Sequence, residues 1–297
     1  MPIYLDTAAT TPIDLKVLSV MNHALKEDYG NPSSIHKKGQ EAKEHLEKAR
    51  KTIAKSINAL PEEIYFTSSG TEANNLALRG ILATTKKKEI ITSVIEHSSI
   101  LSLCQQLEKE GYKVHYIPVT KEGLLNLKVL EQKINSQTAL VSIMYVNNEI
   151  GTIQNIELIG KMCAKKSIPF HTDAIQAFKK VYLDVKKQTL TLVSLSAHKI
   201  YGPKGIAALY VKKATLLKPL LYGGKQEQGL RPGTENLASI LGFAKAVELS
   251  FPVKELERKK KYVIQQIKKE IPQIKINGSE KHSICTIINL SIKGIEA

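Results

Sequence analysis

Short apolar runs alternate with amphipathic helical stretches through most of this 297-residue chain, and that alternation restricts the fold more than any other feature. Residues 64–66, 89–95, 114–119, 139–146, 168–172, 192–196 and 206–211 read as strands. Helical periods fall between most of them. The helix that begins near Ile35 carries Ala42, Leu46, Ala49, Ile53 and Ile57 on one face, at gaps of four, three, four and four. Strands separated by helices predict an α/β fold with a mostly parallel sheet covered on both faces. Polar residues recur just past the strand ends, at His97, Asn148, Asp173 and the His198–Lys199 pair. In open α/β sheets that edge binds ligands. Periodicity leaves the strand order open.

Within this pattern the stretch SLSAHKIYGPKG, residues 194–205, stands out. It reads as a strand end entering a glycine- and proline-bounded turn, with Lys199 inside it. A nucleophilic lysine needs its amine held and partly desolvated, because the neutral form attacks carbonyls. Asp173 ends an apolar run, and Thr67-Ser68-Ser69-Gly70-Thr71-Glu72 opens a helix, with Ser69 and Glu72 at capping-box spacing. Gly70 lets backbone approach a ligand, and free N–H groups at a helix start favour an anion. Singly, these are a surface lysine, a strand end and a well-capped helix. Together they are the three parts of a pyridoxal phosphate site: an aldehyde-binding lysine, a carboxylate for the pyridinium nitrogen and a phosphate cradle. Ala8-Ala9-Thr10-Thr11 reads equally as a loop near a ligand or a plain turn.

The hydrophobic fraction of 42% and charged fraction of 24% are those of a soluble globular protein. No apolar run reaches membrane-spanning length, and the N-terminus lacks the features of a signal peptide. Cys104, Cys163 and Cys285 are widely spaced, which suggests neither disulfides nor a metal site and fits a reducing cytoplasm. The net charge of +15 is spread over lysine-rich helix faces interleaved with glutamates, and aromatics are only 5%. That patterning argues for a solvated surface over nucleic-acid binding, and leaves an acidic partner protein open. Past residue 211 come a glycine-rich loop over 222–234, a helix from Glu235 to about Ser250, and a boundary at Phe251-Pro252. A helix over 253–271 and strands over 274–277 and 283–292 follow, with Cys285 in the last. Residues 15–250 are expected to form a large cofactor-binding domain, and 1–14 with 251–297 part of a small one.

The stretches YLDTAATTP, GNPSSIH, IYFTSSGTEANNLAL, EHSSI, VSIMYVNNEIGTIQ, HTDAIQAF, SLSAHKIYGPKGIAALYV and LRPGTEN run from Tyr4 to Asn236. On these the chain resembles the class V, fold-type I pyridoxal phosphate enzymes, and most closely the cysteine desulfurases. The resemblance implies pyridoxal 5'-phosphate as cofactor and Lys199 as the Schiff-base lysine. Gly70, Thr71, Ser196 and His198 become phosphate-binding groups, and Asp173 the partner of the pyridinium nitrogen. Gln176 would bond the phenolic oxygen, and His97 would stack on the ring and be available for proton transfer. Asn148 would contact the ring side or the substrate. Thr234 would reach the phosphate of a neighbouring subunit, which implies a homodimer.

The implied reaction converts L-cysteine to L-alanine and passes sulfur, as a persulfide, toward iron–sulfur cluster assembly or tRNA thiolation. A scaffold or sulfur-acceptor protein would be a partner. In the family, the sulfur-accepting cysteine and the arginine for the substrate carboxylate lie beyond the point where this chain stops, and none of its three cysteines matches the acceptor motif. The expectation is therefore a C-terminally truncated chain with an incomplete small α/β domain, prone to aggregate or to cover its open face with another chain. A pyridoxal phosphate-binding scaffold unable to finish sulfur transfer is the second reading. A related class V enzyme, such as a selenocysteine lyase or an aminotransferase, is the third.

Overall fold

The computed structural model describes residues 3–295. Two helices, α1 (Leu15–Glu27) and α2 (Lys37–Ser56), precede the first strand. Seven strands among the described residues then form one sheet: β1 (Ile64–Thr67), β2 (Glu89–Ser93), β3 (Lys113–Ile117), β4 (Thr138–Ser142), β5 (Phe170–Asp173), β6 (Leu192–Ser196) and β7 (Ala207–Val211). Their order is β1-β7-β6-β5-β4-β2-β3. Strands β2 to β6 run parallel, linked by α3 (Gly70–Leu82, leading into β2), α4 (Ser98–Lys109), α5 (Leu127–Lys133) and α6 (Ile156–Lys165). Residues 197–206 join β6 to β7 through one short 3-10 segment and a loop, with no crossover helix, so β7 returns antiparallel and pairs antiparallel with β1 on its far side. A parallel neighbour would need a crossover helix. The stretch that carries Lys199 is thus the reason the sheet is mixed.

Alternate strand residues feed two cores, as the pleat requires. Ile90, Leu140, Leu192 and Leu209 pack with Leu76 of α3 and with Leu103 and Cys104 of α4. Ile91, Val141, Val193 and Ala208 face the opposite layer, which holds α2, α6 and α7 (Leu237–Glu248). All five residues of the expected α2 face are buried there. Beyond α7 lie α8 (Val253–Glu270) and a two-stranded antiparallel ribbon of β8 (Lys275–Asn277) and β9 (Asn289–Ser291).

Three differences from the sequence reading have physical causes. Helix α1 has no counterpart in that reading: it buries Val17 and Ala24 while Leu15 and Leu25 stay exposed, so its leucines do not mark its buried face. The run 139–146 ends as a ladder at Ser142. It continues buried, with Ile143 N donating to His171 O at 3.1 Å and Tyr145 N donating to Asp173 O at 2.9 Å on the β5 side, while Met144 N donates to Glu96 Oε1 at 3.0 Å and Val146 bridges to Ile153. The expected strand over 283–292 shrinks to β9. Residues 282–284 instead bond to the loop after β4, with Ile153 N donating to His282 O at 2.9 Å and Ile284 N donating to Gly151 O at 2.9 Å. Cys285 therefore sits in a turn, although it is buried as expected. Among the described residues no helix is long and apolar enough to cross a membrane.

Candidate active site

The strand ends and helix starts at one edge of the sheet converge on a cavity of about 650 Å³, within the range of small-molecule sites. Parallel strands all point their C-terminal ends at this edge, and β5 brings Asp173 to it. Asp173 is buried; its Oδ1 accepts Ile175 N at 3.0 Å and its Oδ2 accepts Asn74 Nδ2 at 2.8 Å. Burial pushes this carboxyl above the ordinary range, opposed by the Asn74 and Ile175 bonds and by His97 and Lys199. A buried acid with neutral hydrogen bonds and no ion pair is costly unless a cation meets it from the cavity.

Lys199 comes from the β6–β7 turn. Its Nζ donates to Ala8 O at 2.6 Å and Ala9 O at 2.7 Å. Burial lowers its pKa, and Asp173, Asp6 and Glu149 pull the other way. The N-terminal segment clamps the turn: Thr11 N donates to His198 O at 3.0 Å, and Tyr201 N donates to Thr11 Oγ1 at 2.8 Å. Tyr201 has a φ of 63°, a left-handed conformation that a bulky residue holds only when its surroundings impose it. Burial, and then the neighbouring Lys199, Lys204 and Lys180, push the His198 imidazole down to about 4. It is neutral at physiological pH and can present only one N–H.

At the start of α3, Ser69 caps the helix by accepting Glu72 N at 3.1 Å. The Glu72 carboxylate does not close a capping box on Ser69. It accepts Ser68 N at 2.7 Å and pairs with Arg231 at 2.9 Å. No acceptor among the described residues takes the N–H of Gly70 or Thr71, and both residues line the cavity. A Cβ at Gly70 would run into Ile175 Cδ1. At the start of α4, His97 is itself the N-cap, its Nδ1 accepting Ser99 N at 3.1 Å. Glu96 beside it is buried, bonded through Oε1 to Ser93 Oγ and Met144 N, and burial pushes it up to about 8.

A profile described as "Aminotransferase class-V" matches residues 3–297. "Cysteine desulfurase IscS" of Dictyoglomus turgidum is 44% identical over 301 residues, covering 99% of this chain and 76% of that protein. The chain belongs to the class-V aminotransferase family, among its cysteine desulfurases. "Cysteine desulfurase, mitochondrial" of Arabidopsis thaliana is 45% identical over 307 residues, covering 99% of this chain and 67% of that protein. Among solved structures, a "NIFS-LIKE PROTEIN" superposes with a TM-score of 0.95 at 38% identity, covering 99% of this chain and 83% of the other. "SspA in complex with cysteine" superposes at 0.92, also at 38% identity, covering 98% and 84%. The chain thus spans about two thirds to three quarters of the length of these desulfurase sequences. Desulfurases of this family use pyridoxal phosphate, and the features above fit it. The cavity is large enough, two N–H groups are free for an anion, and the buried Asp173 awaits a cation.

Of the residues singled out in the sequence, Gly70, Thr71, His97, Asn148, Asp173, Gln176, His198 and Lys199 line this one cavity. Ser196, the last residue of β6, is buried and is not among the lining residues. Thr234 lies elsewhere, in a smaller exposed depression with Ser68, Gly205 and Arg231. Several participants carried no signal in the sequence. Asn74 looks like any polar helix residue until α3 turns it inward. Lys180, buried and pushed down to about 8, bonds to Gln176 Oε1 at 3.3 Å. Thr286, Ile287 and Ile288 close the cavity from the C-terminal side.

Proposed function

We propose that this chain holds pyridoxal 5'-phosphate in the cavity and removes sulfur from L-cysteine, leaving L-alanine. The observation that carries this is Lys199 and the buried Asp173 lining one cavity, in a chain that belongs to the cysteine desulfurases. When bound, the cofactor supplies an aldehyde that condenses with amines and a ring that withdraws electrons. Gly70, Thr71, Ser196 and His198 hold its phosphate, and Asp173 holds its ring nitrogen. Gln176 holds its hydroxyl side, while Asn148 meets the ring or the substrate. Lys199, whose amine burial shifts toward the neutral form, takes and returns the proton at the substrate's α-carbon. His97 lies at the same cavity.

Sulfur leaves only if a thiolate takes it: the substrate C–S bond breaks, an S–S bond forms as a persulfide, and the carbon gains a proton. The chain's own cysteines do not serve. Burial pushes Cys104 and Cys163 up to about 12, Cys285 is likewise raised, and none lines the cavity. The acceptor is therefore a thiol outside these three, and iron–sulfur assembly or tRNA thiolation is the use we assign to the sulfur. We further propose a homodimer in a reducing, cytoplasmic setting. Thr234, exposed and apart from the cavity, would serve the partner's phosphate, and the exposed Leu5, Ile35, Leu221 and Tyr222 would supply apolar contact.

The test is the pyridoxal phosphate-loaded chain given L-cysteine and excess dithiothreitol, which takes the sulfur and releases it as sulfide while closing to its cyclic disulfide, with alanine and sulfide assayed together. Equimolar alanine and sulfide are expected. Cofactor bound through Lys199 with no alanine at any thiol concentration would leave only a binding scaffold.

A further inference from the structure

The His97 ring is anchored from one side. Its Nδ1 accepts the backbone N–H of Ser99 at 3.1 Å, and Ser99 Oγ lies 2.9 Å from the same nitrogen. A backbone N–H can only donate, so Nδ1 turns a lone pair toward it. Ser99 Oγ in turn accepts Asn74 Nδ2 at 2.9 Å. That bond fills one acceptor position of the hydroxyl and leaves its hydrogen to point at Nδ1. The second hydrogen of the same Asn74 nitrogen goes to Asp173 Oδ2 at 2.8 Å. Asn74 cannot turn over, because its carbonyl would then face a carboxylate oxygen. The structure keeps Asn74 Oδ1 buried without a hydrogen-bond partner rather than make that contact. The direction of every proton in the chain is therefore fixed from the Asp173 end.

We propose that Ser99, oriented by Asn74, is the positioning residue that holds neutral His97 as its Nε2–H tautomer, so that the ring shows the cavity a hydrogen-bond donor and not a lone pair. No partner for Nε2 exists among the described residues, and both His97 and Ser99 line the cavity. A ring fixed this way acts as an electrophile. It grips a carboxylate, or sulfur as negative charge develops on it, and leaves abstraction of the α-proton to Lys199. The consequence for catalysis rests on the cysteine desulfurase reading above; the tautomer does not.

The experiment is long-range ¹H–¹⁵N correlation of the histidine rings, with and without pyridoxal phosphate, His97 being assigned by loss of its signals in His97→Asn. Nε2 should fall in the pyrrole-like range. Nδ1 should fall in the pyridine-like range, displaced upfield by the bonds it accepts. The ring of free histidine already leans to this tautomer, so the decisive reading is the response to Ser99. In Ser99→Ala, Nδ1 should move downfield and the Nδ1–H form should gain population, and Ser99→Thr should restore the original shifts. Asn74→Leu should move His97 Nδ1 and the Asp173 carboxyl carbon together. Ser99→Ala should also lower kcat on the order of tenfold, the usual size for a group acting one hydrogen bond away, with KM little changed and Ser99→Thr recovering the rate. A protonated Nδ1 in the unsubstituted protein overturns the proposal. So do His97 nitrogens that ignore Ser99→Ala. Should the alanine variant not fold, Ser99→Cys, a weaker donor at the same place, reads the same shift. Absence of alanine with these spectra intact would instead sink the desulfurase reading and leave the tautomer standing.

Discussion

Helices α7 and α8 follow one another in the chain and stand in opposite relations to the core. Helix α7 buries nine of its 12 residues, among them Leu237, Ile240 and Phe243, packing against α1 and α2 within the larger core. Helix α8 buries none of its 18. It leans on the molecule through a half-buried stripe of Val253, Leu256, Lys260, Ile264 and Ile267, at gaps of three, four, four and three. Lys260 Nζ anchors it, donating to Ser283 Oγ at 2.5 Å and Ile284 O at 2.7 Å. Asp173, Lys199 and His97 all stand on the α7 side of this divide, on elements with packed backing. The C-terminal region reaches the cavity only through Thr286 to Ile288. The proposed cofactor residues thus stand on well-buried elements, while the lightly buried C-terminal region adds only that short stretch to the cavity wall.

That division makes graded predictions. Lys199→Ala removes the amine itself and should abolish the borohydride-reducible cofactor adduct. Alanine formation should fall on the order of 10²–10⁴-fold from lost proton transfer alone. A persistent adduct at another lysine would show that the turn is not the site. Phe243→Ala empties a fully buried, edge-packed position against Phe178, with ring centroids 6.1 Å apart. It should cost about 3–5 kcal/mol in denaturant unfolding. A smaller loss would mean that α7 can collapse onto the gap.

A third prediction concerns the buried layer beneath the cavity. Glu96 is raised to about 8 in the folded protein and lies near 4.3 when unfolded. Below the unfolded value both states are protonated and nothing is lost. Between about 4.3 and 8 the folded state keeps a proton that the unfolded state releases, so stability falls as pH rises. The slope is at most about 1.4 kcal/mol per pH unit. Glu96→Gln keeps the Oε1 acceptor for Ser93 and Met144 and removes the titration. The variant should gain on the parent steadily across that window and level off above it. Parallel curves would show Glu96 to be charged in the folded state.

How far the sequence carried depended on whether a residue's role was local. The α2 face, the Ser69 cap and the strand-end polar residues are set by spacing within one element, and they stand where the pattern predicted. Family membership rests on the same local motifs. Strand order was not legible, because it depends on connections, and neither was the antiparallel return of β7. The Ala8–Thr11 segment was ambiguous because its partners, His198 and Lys199, are about 190 positions away. Asn74 was silent for the same reason: its meaning lies in Ser99 and Asp173, which only the packing of α3 against β5 and α4 brings within reach. The strand expected over 283–292 failed because an apolar run states a need for burial. It does not say which backbone will take its hydrogen bonds, and here the loop at 151–153 takes them.

The smallest effect tests the other helix. Tyr262 of α8 is 63% exposed, so Tyr262→Ala removes little buried surface and leaves the half-buried stripe intact. Surface changes of this kind fall within about 0.5 kcal/mol, and neither the cofactor adduct nor alanine formation should move. A drop in unfolding midpoint close to that of Phe243→Ala would mean that α8 closes on a core in solution. The contrast between the two helices would then be lost. A fall in alanine formation at unchanged stability and unchanged cofactor binding would sharpen the contrast. It would mean that the C-terminal region, though thermodynamically light, governs how the substrate sits over Lys199.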